Sequence, residues 1–221
     1  MTFDGFSNEG LALLGRLPTM DKKAFQARQK TYRAELQEPL KAFVDALGPV
    51  LQEQVSDGLE FAAKTHGSIG PINNDVRFNP DAPTYKDHVL LRFWEGADKK
   101  AAPTLYVRLT PTEVGFAAGA MVADVEAWRR AVDADGDALQ AALTALVAAT
   151  DAGVVGQELK RVPKGYDPDH RHADLLRHKW LQARWPRPMP DTPDGDAFVR
   201  WCAGELAQAA GVHRWLVEHL A

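Results

Sequence analysis

Two periodicities of hydrophobic residues divide the chain into three parts. Apolar residues recur at helical spacing through the first third, for example over residues 40–51. From Asp87 the pattern becomes an alternation of apolar and polar residues, which is clear at 89–93 and 105–109. Helical spacing returns after Asp124. Helices, then strands, then helices predict an α+β fold in which an antiparallel meander packs with N-terminal and C-terminal helices.

Residue types at the ends of the helical segments predict their boundaries. Ser7 and Asp21 each precede a helical run and are expected N-caps, because their side-chain oxygens accept from free amide groups in the first turn. The pair Gly48-Pro49 predicts a kink or break in the third helix. After the strands we expect two helices, over 124–133 and 137–151.

The remaining segments are predicted from shorter patterns. Residues 75–78 and 154–159 are expected to form strands. A helix is predicted over 173–181. The proline-rich segment 184–195 is predicted to be irregular, and one or two helices close the chain over 196–219.

Length and composition favour one globular domain over residues 1–221. Hydrophobic residues make up 45% of the 221 positions, which is enough for a sizeable core. The first residues lack a signal-peptide pattern and no apolar run reaches 18 residues, so we expect a cytoplasmic protein without a membrane partner. The single cysteine, Cys202, is expected to be buried. A net charge of -4 makes nucleic-acid binding the least favoured function.

The first stretch with candidate chemistry is 74–86. Side chains on a strand repeat every two residues, so Asp75 and Arg77 are expected on one side. Arg77 and Lys86 could then hold an anion or a carbonyl group, with Tyr85 supplying a hydroxyl. The alternative is structural: an Asp75–Arg77 pair that fixes a loop to the sheet.

The second stretch is strongly basic. Residues 157–188 contain eight Lys and Arg against four Asp and Glu, which predicts a patch that attracts anions. Its candidate ligand-binding residues are Lys164, Tyr166, Asp169 and Lys179. His170 is the candidate general acid–base, because imidazole titrates near neutral pH. The alternative is an ordinary solvated loop and helix face.

The same stretch has the composition of a metal site but not its spacing. The carboxylates and imidazoles concerned are Asp167, Asp169, His170, His172 and Asp174. They match no metal-binding motif, so no metal is predicted, and one of them is more readily a cap for the following helix. No motif identifies a cofactor either, since phosphate-binding, dinucleotide-binding and hydrolase signatures are absent.

The third stretch is the polar side of the predicted meander. His88, Arg92, Tyr106 and Arg108 would share one face if their strands pair. A half-exposed antiparallel sheet normally has such a face, so an ordinary solvated surface is the alternative.

Several of these residues also carry a family resemblance. Asp75, Arg77, Phe78, Asp81, Tyr85 and Lys86 match the hallmark RxxRDxRF block, and the Lys and Tyr that follow it, of a bacterial family of unknown function numbered 2461. Pro71, Asn74 and Ala82 depart from that pattern, each replacing a cationic residue. The run from Pro163 through Lys179 is similar to the second block of the family. The resemblance covers nearly the whole chain and implies no activity, cofactor or substrate.

The leading hypothesis is therefore a ligand-binding or enzymatic domain that takes a small anionic ligand. The two blocks would then meet at one pocket. The rival hypothesis is a protein-interaction module in which Trp180 and Trp185 contact a partner. Neither hypothesis identifies a reaction.

Overall fold

Five antiparallel strands form one sheet in the order β1-β2-β3-β5-β4. The structure is a computed structural model that describes residues 2–77, 81–121, 124–191, 193 and 195–221. The strands are β1 (Val89–Trp94), β2 (Thr104–Leu109), β3 (Glu113–Met121), β4 (Gly153–Glu158) and β5 (His178–Pro188). The first three pair in chain order, which confirms the predicted meander. The strand predicted at 154–159 is confirmed as β4.

Helices precede and follow the strands, as the α+β prediction requires. They are α1 (Asn8–Arg16), α2 (Lys22–Tyr32), α3 (Glu38–Gln54), α4 (Val125–Thr150), α5 (Ala173–Leu176), α6 (Gly195–Ala207) and α7 (Ala210–Leu220). The Ser7 side chain accepts from the Gly10 amide and the Asp21 side chain from the Ala24 amide, so both predicted N-caps are confirmed.

Two predicted helix interruptions have different outcomes. The break at Gly48-Pro49 is wrong, because α3 continues through Pro49 to Gln54. In α4 the two predicted helices are merged, but Asp135 between them has non-helical dihedral angles (φ -140°, ψ 30°). The aspartate side chain accepts from the Trp215 indole, which links this irregular residue to α7.

The segment 173–188 corrects two predictions. The helix expected over 173–181 ends at Leu176, and β5 then extends to Pro188, into the first part of the segment 184–195 that was expected to be irregular. Its prolines are compatible with a strand because β4 begins at Gly153, opposite Arg184, and does not extend alongside them. The Met189 amide donates to Thr112 beside β3, and amide directions alternate along a strand. Pro186 and Pro188 therefore lack amides only on the side that has no neighbouring strand.

The strand predicted at 75–78 is also wrong where it can be described. Val76 and Arg77 form a turn, and the Asp75 carboxylate accepts from the Arg77 amide at 3.2 Å. An Asp side chain that accepts such a hydrogen bond favours a turn over pairing of the backbone with a neighbouring strand. Phe78 lies outside the described residues.

The inner face of the sheet packs against the helices. Alternate residues of the strands are buried there, and in β1 and β2 they are the ones that the alternation predicts. The buried residues are Val89, Leu91, Phe93, Leu105, Val107, Leu109, Val114, Phe116, Leu181, Ala183 and Trp185. The Trp185 indole donates to Glu205 of α6 at 2.9 Å, and Phe116 packs against Trp201 of the same helix. Cys202 is buried beside them, as predicted. In the described part of the chain, no helix has the length and apolar character needed to cross a membrane.

Burial affects the ionisation of two histidines in this framework, His178 and His213. On α7, Nε2 of His213 lies 3.0 Å from Oε2 of Glu95. Burial lowers the pKa of His213, while the hydrogen bond and charge of Glu95 act in the opposite direction. Burial also lowers the pKa of His178, at the start of β5. Both imidazoles are therefore held preferentially in the neutral form.

We expect the free energy of unfolding to fall as the pH is lowered from 8 through about 6.5, the ordinary histidine pKa. Below that pH the unfolded chain binds protons at His178 and His213 that the folded chain resists binding. Urea titrations at several pH values measure the effect. His213→Gln should flatten this dependence, and His66→Asn, at an exposed histidine, should leave it unchanged. An identical pH dependence in both variants would contradict the expectation.

Candidate functional site

Asp75 and Arg77 form an exposed ion pair in the turn before β1. Arg77 donates from Nε to Oδ1 of Asp75 at 2.8 Å and from Nη2 to Oδ2. The two side chains remain 79% and 53% exposed for Arg77 and Asp75. The bond to Arg77 lowers the pKa of Asp75. The pair therefore has the bidentate geometry expected of a structural contact, on the protein surface.

Tyr85 and Lys86 are directed towards the body of the protein. Tyr85 is buried, with its ring centroid 4.6 Å from that of Phe25. Lys86 donates from Nζ to the Pro71 carbonyl at 2.8 Å. Burial lowers the pKa of Lys86, and the charge of Arg92 adds to this effect. Both side chains thus contribute to fixing the loop that leads into β1.

In the second block, the loop before α5 carries most of the predicted ligand-binding residues. Lys164 and Asp169 are exposed, and Tyr166 is partly buried against the core. The Asp169 amide donates to the Asp167 carboxylate at 2.8 Å, which closes a turn in this loop. Lys179 is partly buried, near the start of β5.

His170 connects this loop to α4. Its Nδ1 accepts from the His172 amide at 3.0 Å, so the proton of the neutral ring is on Nε2. Nε2 lies 3.2 Å from Oδ1 of Asp133. Both ring nitrogens are therefore engaged within the chain, whereas a general acid–base needs one of them for its substrate.

A second histidine repeats this contact one helical turn further along α4. Nε2 of His172 lies 3.0 Å from Oδ1 of Asp137, and Nη1 of Arg171 lies 2.7 Å from the other oxygen. A side chain at Gly136 would come within 2.5 Å of the His172 ring, so only glycine permits this approach. The alternating acids at 133, 135 and 137 are the sequence signal that could have indicated these partners.

The metal-like composition of this loop does not produce a metal-like geometry. Among the described residues, no three or more His, Cys, Asp or Glu side chains are arranged to hold a metal ion. His172 occupies the N-cap position of α5, but its side chain makes no capping bond there.

The structure does not bring the two predicted blocks together. The first block precedes β1, which is one edge of the sheet, and the second block lies between β4 and β5 at the other edge. Among the described residues, no hydrogen bond or ion pair joins the two blocks. The pocket expected from their combination is therefore replaced by two separate polar clusters.

A different concave site lies on the outer face of the sheet, opposite the helices. Its volume is about 550 Å³, and we call it the sheet groove. Small residues of β3, Gly115 and Ala117, form its floor. Larger polar and aromatic side chains form its walls: His88, Tyr106, Arg108, Trp180, Gln182 and Arg184. Strand pairing places Tyr106 and Arg184 on either side of Ala117.

One wall of the sheet groove is a connected polar network. Nδ1 of His88 lies 2.6 Å from Oδ1 of Asp87, and Nη2 of Arg108 approaches the same Asp87 oxygen at 3.4 Å. The hydrogen bond to His88 lowers the pKa of Asp87. Nη1 of Arg108 lies 3.9 Å from Glu113. Nε2 of His88 has no hydrogen-bond partner within the described ranges, so it can bond a ligand.

The other wall carries a cation without a counter-charge. Arg184 donates from Nε to Oε1 of Gln182 at 2.6 Å, and its guanidinium lies 5.8 Å from the Trp180 ring centroid. Arg184 makes no ion pair with any described residue. Gln182 and Trp180 therefore hold its orientation while its remaining donors stay available.

Three of the six wall residues of this groove were predicted from the sequence. His88, Tyr106 and Arg108 belonged to the predicted polar face of the meander. Trp180, Gln182 and Arg184 were missed, because β5 was predicted as helix and irregular chain. The signal that could have found them is the alternation of Leu181, Ala183 and Trp185 with polar neighbours. Trp185 itself is buried, so it forms no exposed partner surface.

Comparison with known proteins supports the family resemblance. The model of a family described as "conserved hypothetical protein (DUF2461)" matches residues 12–215. No curated protein matches the chain significantly.

The contacts of His170 predict a structural effect. His170→Ala should lower the free energy of unfolding by about 1–2 kcal/mol, because it leaves the His172 amide and Asp133 without their partner. His170→Asn should recover part of the loss, since its Oδ1 can accept from the His172 amide. Urea unfolding measures both. Equal stability of the alanine variant and the unaltered protein would contradict this role.

Proposed function

We propose that this chain, which belongs to the family of conserved hypothetical proteins DUF2461, binds a small anionic ligand in the sheet groove. The observation that carries the proposal is Arg184. A guanidinium oriented by Gln182 and Trp180, with no acidic partner among the described residues, is a preformed donor for a carboxylate, sulfonate or phosphate group.

The shape of the groove supports a ligand with a flat apolar part. Residues on the floor are small, while Tyr106 and Trp180 stand at the sides and present aromatic surface. Ligand sites are typically concave and mostly apolar, with a few polar groups that fix orientation. An aromatic anion could lie along the floor with its charged group at Arg184.

The His88 wall adds a second polar contact for the same ligand. His88 lines the groove, and Asp87 engages its Nδ1 while its Nε2 has no partner within the described ranges, which is the arrangement of an imidazole oriented by a carboxylate. Nε2 could therefore donate to the ligand or accept from it. Arg108 is partly neutralised by Asp87 and Glu113, so we assign it a positioning role towards His88.

The two blocks predicted from the sequence contribute less to this proposal. Their residues, from Asp75 to Lys86 and from Lys164 to Lys179, do not line the groove. Most are engaged in contacts that fix loops, and the proposal gives them a supporting structural role. Anion binding remains the proposed function, and its proposed location moves from the two blocks to the sheet groove.

The aromatic sulfonate 1-anilino-8-naphthalenesulfonate is a suitable first probe, because it combines a flat apolar body with one anionic group. We expect saturable fluorescence enhancement with the folded protein. Arg184→Gln should weaken binding roughly tenfold or more, the effect of losing a charge-assisted hydrogen bond. Arg214→Gln removes the same charge from an exposed position outside the groove and should leave the affinity unchanged. Equal affinities for all three proteins would reject the groove as the site.

Filling the groove tests the same site without changing charge. Ala117→Leu adds three carbon atoms between Tyr106 and Arg184 and should abolish binding of the probe. Ala145→Leu, at an exposed position on α4, is the matched control. Near-ultraviolet circular dichroism checks that both variants keep native packing. Unchanged binding by a folded Ala117→Leu variant would contradict the proposal.

A further inference from the structure

Helix α2 and the residue that follows it, Arg33, carry a concentration of positive charge that the sheet groove does not use. Between Lys22 and Arg33 there are five cationic residues and no acidic residue. Since the whole chain carries -4, the rest of the chain carries -9. All five cations are exposed, and none makes an ion pair with another described residue. They are Lys22, Lys23, Arg28, Lys30 and Arg33.

Four of these cations share one side of the helix. At about 100° per residue, Lys22, Lys23, Lys30 and Arg33 lie within an arc of about 100°. At about 1.5 Å rise per residue they extend over roughly 16 Å. We call this row the α2 basic face. It is a line of charge rather than a point, so it suits an extended anion.

Two aromatic residues of α2, Phe25 and Tyr32, face the protein and pack against its core. Phe25 packs against Tyr85 at 4.6 Å and Tyr32 at 5.3 Å between ring centroids. No residue of α2 is fully buried, so the helix lies on the surface, and the Phe25 ring contacts Tyr85 in the body of the protein. A groove of about 460 Å³ runs beside them and has Lys30 and Arg33 among its lining residues.

The two acids beside the row are engaged by other groups and make no ion pair with it. The Asp21 side chain caps α2 by accepting from the Ala24 amide at 2.7 Å. Glu35 accepts from the Ser7 hydroxyl at 2.8 Å. The more distant negative charges of the chain are screened, because the Debye length is about 8 Å at physiological ionic strength. The net charge of -4 therefore describes the average surface and not the field beside α2.

We propose that the α2 basic face binds the phosphate backbone of a nucleic acid. Several phosphates could contact a row of this length at once, and such contacts do not depend on base sequence. This surface is separate from the sheet groove, and neither proposal depends on the other.

A membrane surface is a poorer match for the same charges. Helices that lie in a bilayer interface need large apolar side chains beside their cations. In α2 the large apolar residues are Phe25 and Tyr32, and both are packed against other rings of the protein. The exposed apolar residues that remain are Ala24 and Ala27, which bury little surface.

Fluorescence anisotropy with a fluorescein-labelled 20-base-pair DNA duplex, and with the RNA duplex of the same sequence, tests the proposal. Protein is titrated to about 100 μM, because sequence-independent binding typically has Kd values of about 10⁻⁴ to 10⁻⁶ M. Salt is varied from 50 to 200 mM. We expect binding to at least one duplex, with an affinity that falls steeply as salt rises.

Two triple variants with the same change of charge locate the contact. Lys22→Gln/Lys30→Gln/Arg33→Gln should weaken binding at least tenfold and reduce the salt slope by about 0.9 for each cation that contacts a phosphate of DNA. Lys160→Gln/Arg161→Gln/Lys164→Gln alters exposed cations of the second block and should have little effect. Thermal unfolding checks that both variants remain folded.

Three outcomes would overturn the proposal. The first is the absence of binding to either duplex at 50 mM salt. The second is an equal loss of affinity in both triple variants, which would indicate a general charge effect. The third is binding to vesicles containing about one third phosphatidylserine that depends on the α2 cations, without binding to nucleic acid, which would assign the face to a membrane.

Discussion

The pairing of β5 with β3 holds the two halves of the chain together. Nine residue pairs join these strands, from Glu113 opposite Pro188 to Met121 opposite Trp180. On the inner face the pairing places Trp185 beside Phe116, where both pack on α6. On the outer face it places Arg184 and Gln182 across from the residues of β2. The core and the sheet groove therefore both depend on the same set of backbone hydrogen bonds.

This pairing in turn depends on small residues. A side chain at Gly119 would come within 2.2 Å of the Leu181 carbonyl, and one at Gly156 within 2.2 Å of the Trp180 carbonyl. The two glycines lie on β3 and β4, the strands on either side of β5. On the outer face, Gly115 and Ala117 of β3 have little or no side chain, so the centre of that face is low. The larger side chains of β2 and β5 stand on either side of this centre and form the walls of the sheet groove, so the outer face of the sheet is concave.

The sequence predicts the meander well because its apolar residues alternate and one face is buried. It predicts β5 poorly, since Pro186 and Pro188 normally argue against a strand. They are tolerated here because β4 begins opposite Arg184 and leaves that side of β5 unpaired, which the sequence does not reveal. The sequence identifies the polar loop around His170 as a candidate site. It does not identify the partners of the loop histidines, Asp133 and Asp137, because these lie on α4, far away in the sequence. Whole-chain charge likewise averages over surfaces, so it obscures the α2 basic face. In each case the missing information is which distant residues meet.

The position of β5 also has a consequence for how the molecule is made. The strands β1, β2 and β3 are joined by short connections and can pair as soon as they leave the ribosome, whereas β5 must return across α4 and β4 before it reaches β3. Such non-local pairing is slow because a long loop must close first. Until then β3 presents an open edge, the feature that makes partly folded sheets prone to association. The strand that completes the groove thus also ends the period in which the nascent chain is most exposed to aggregation.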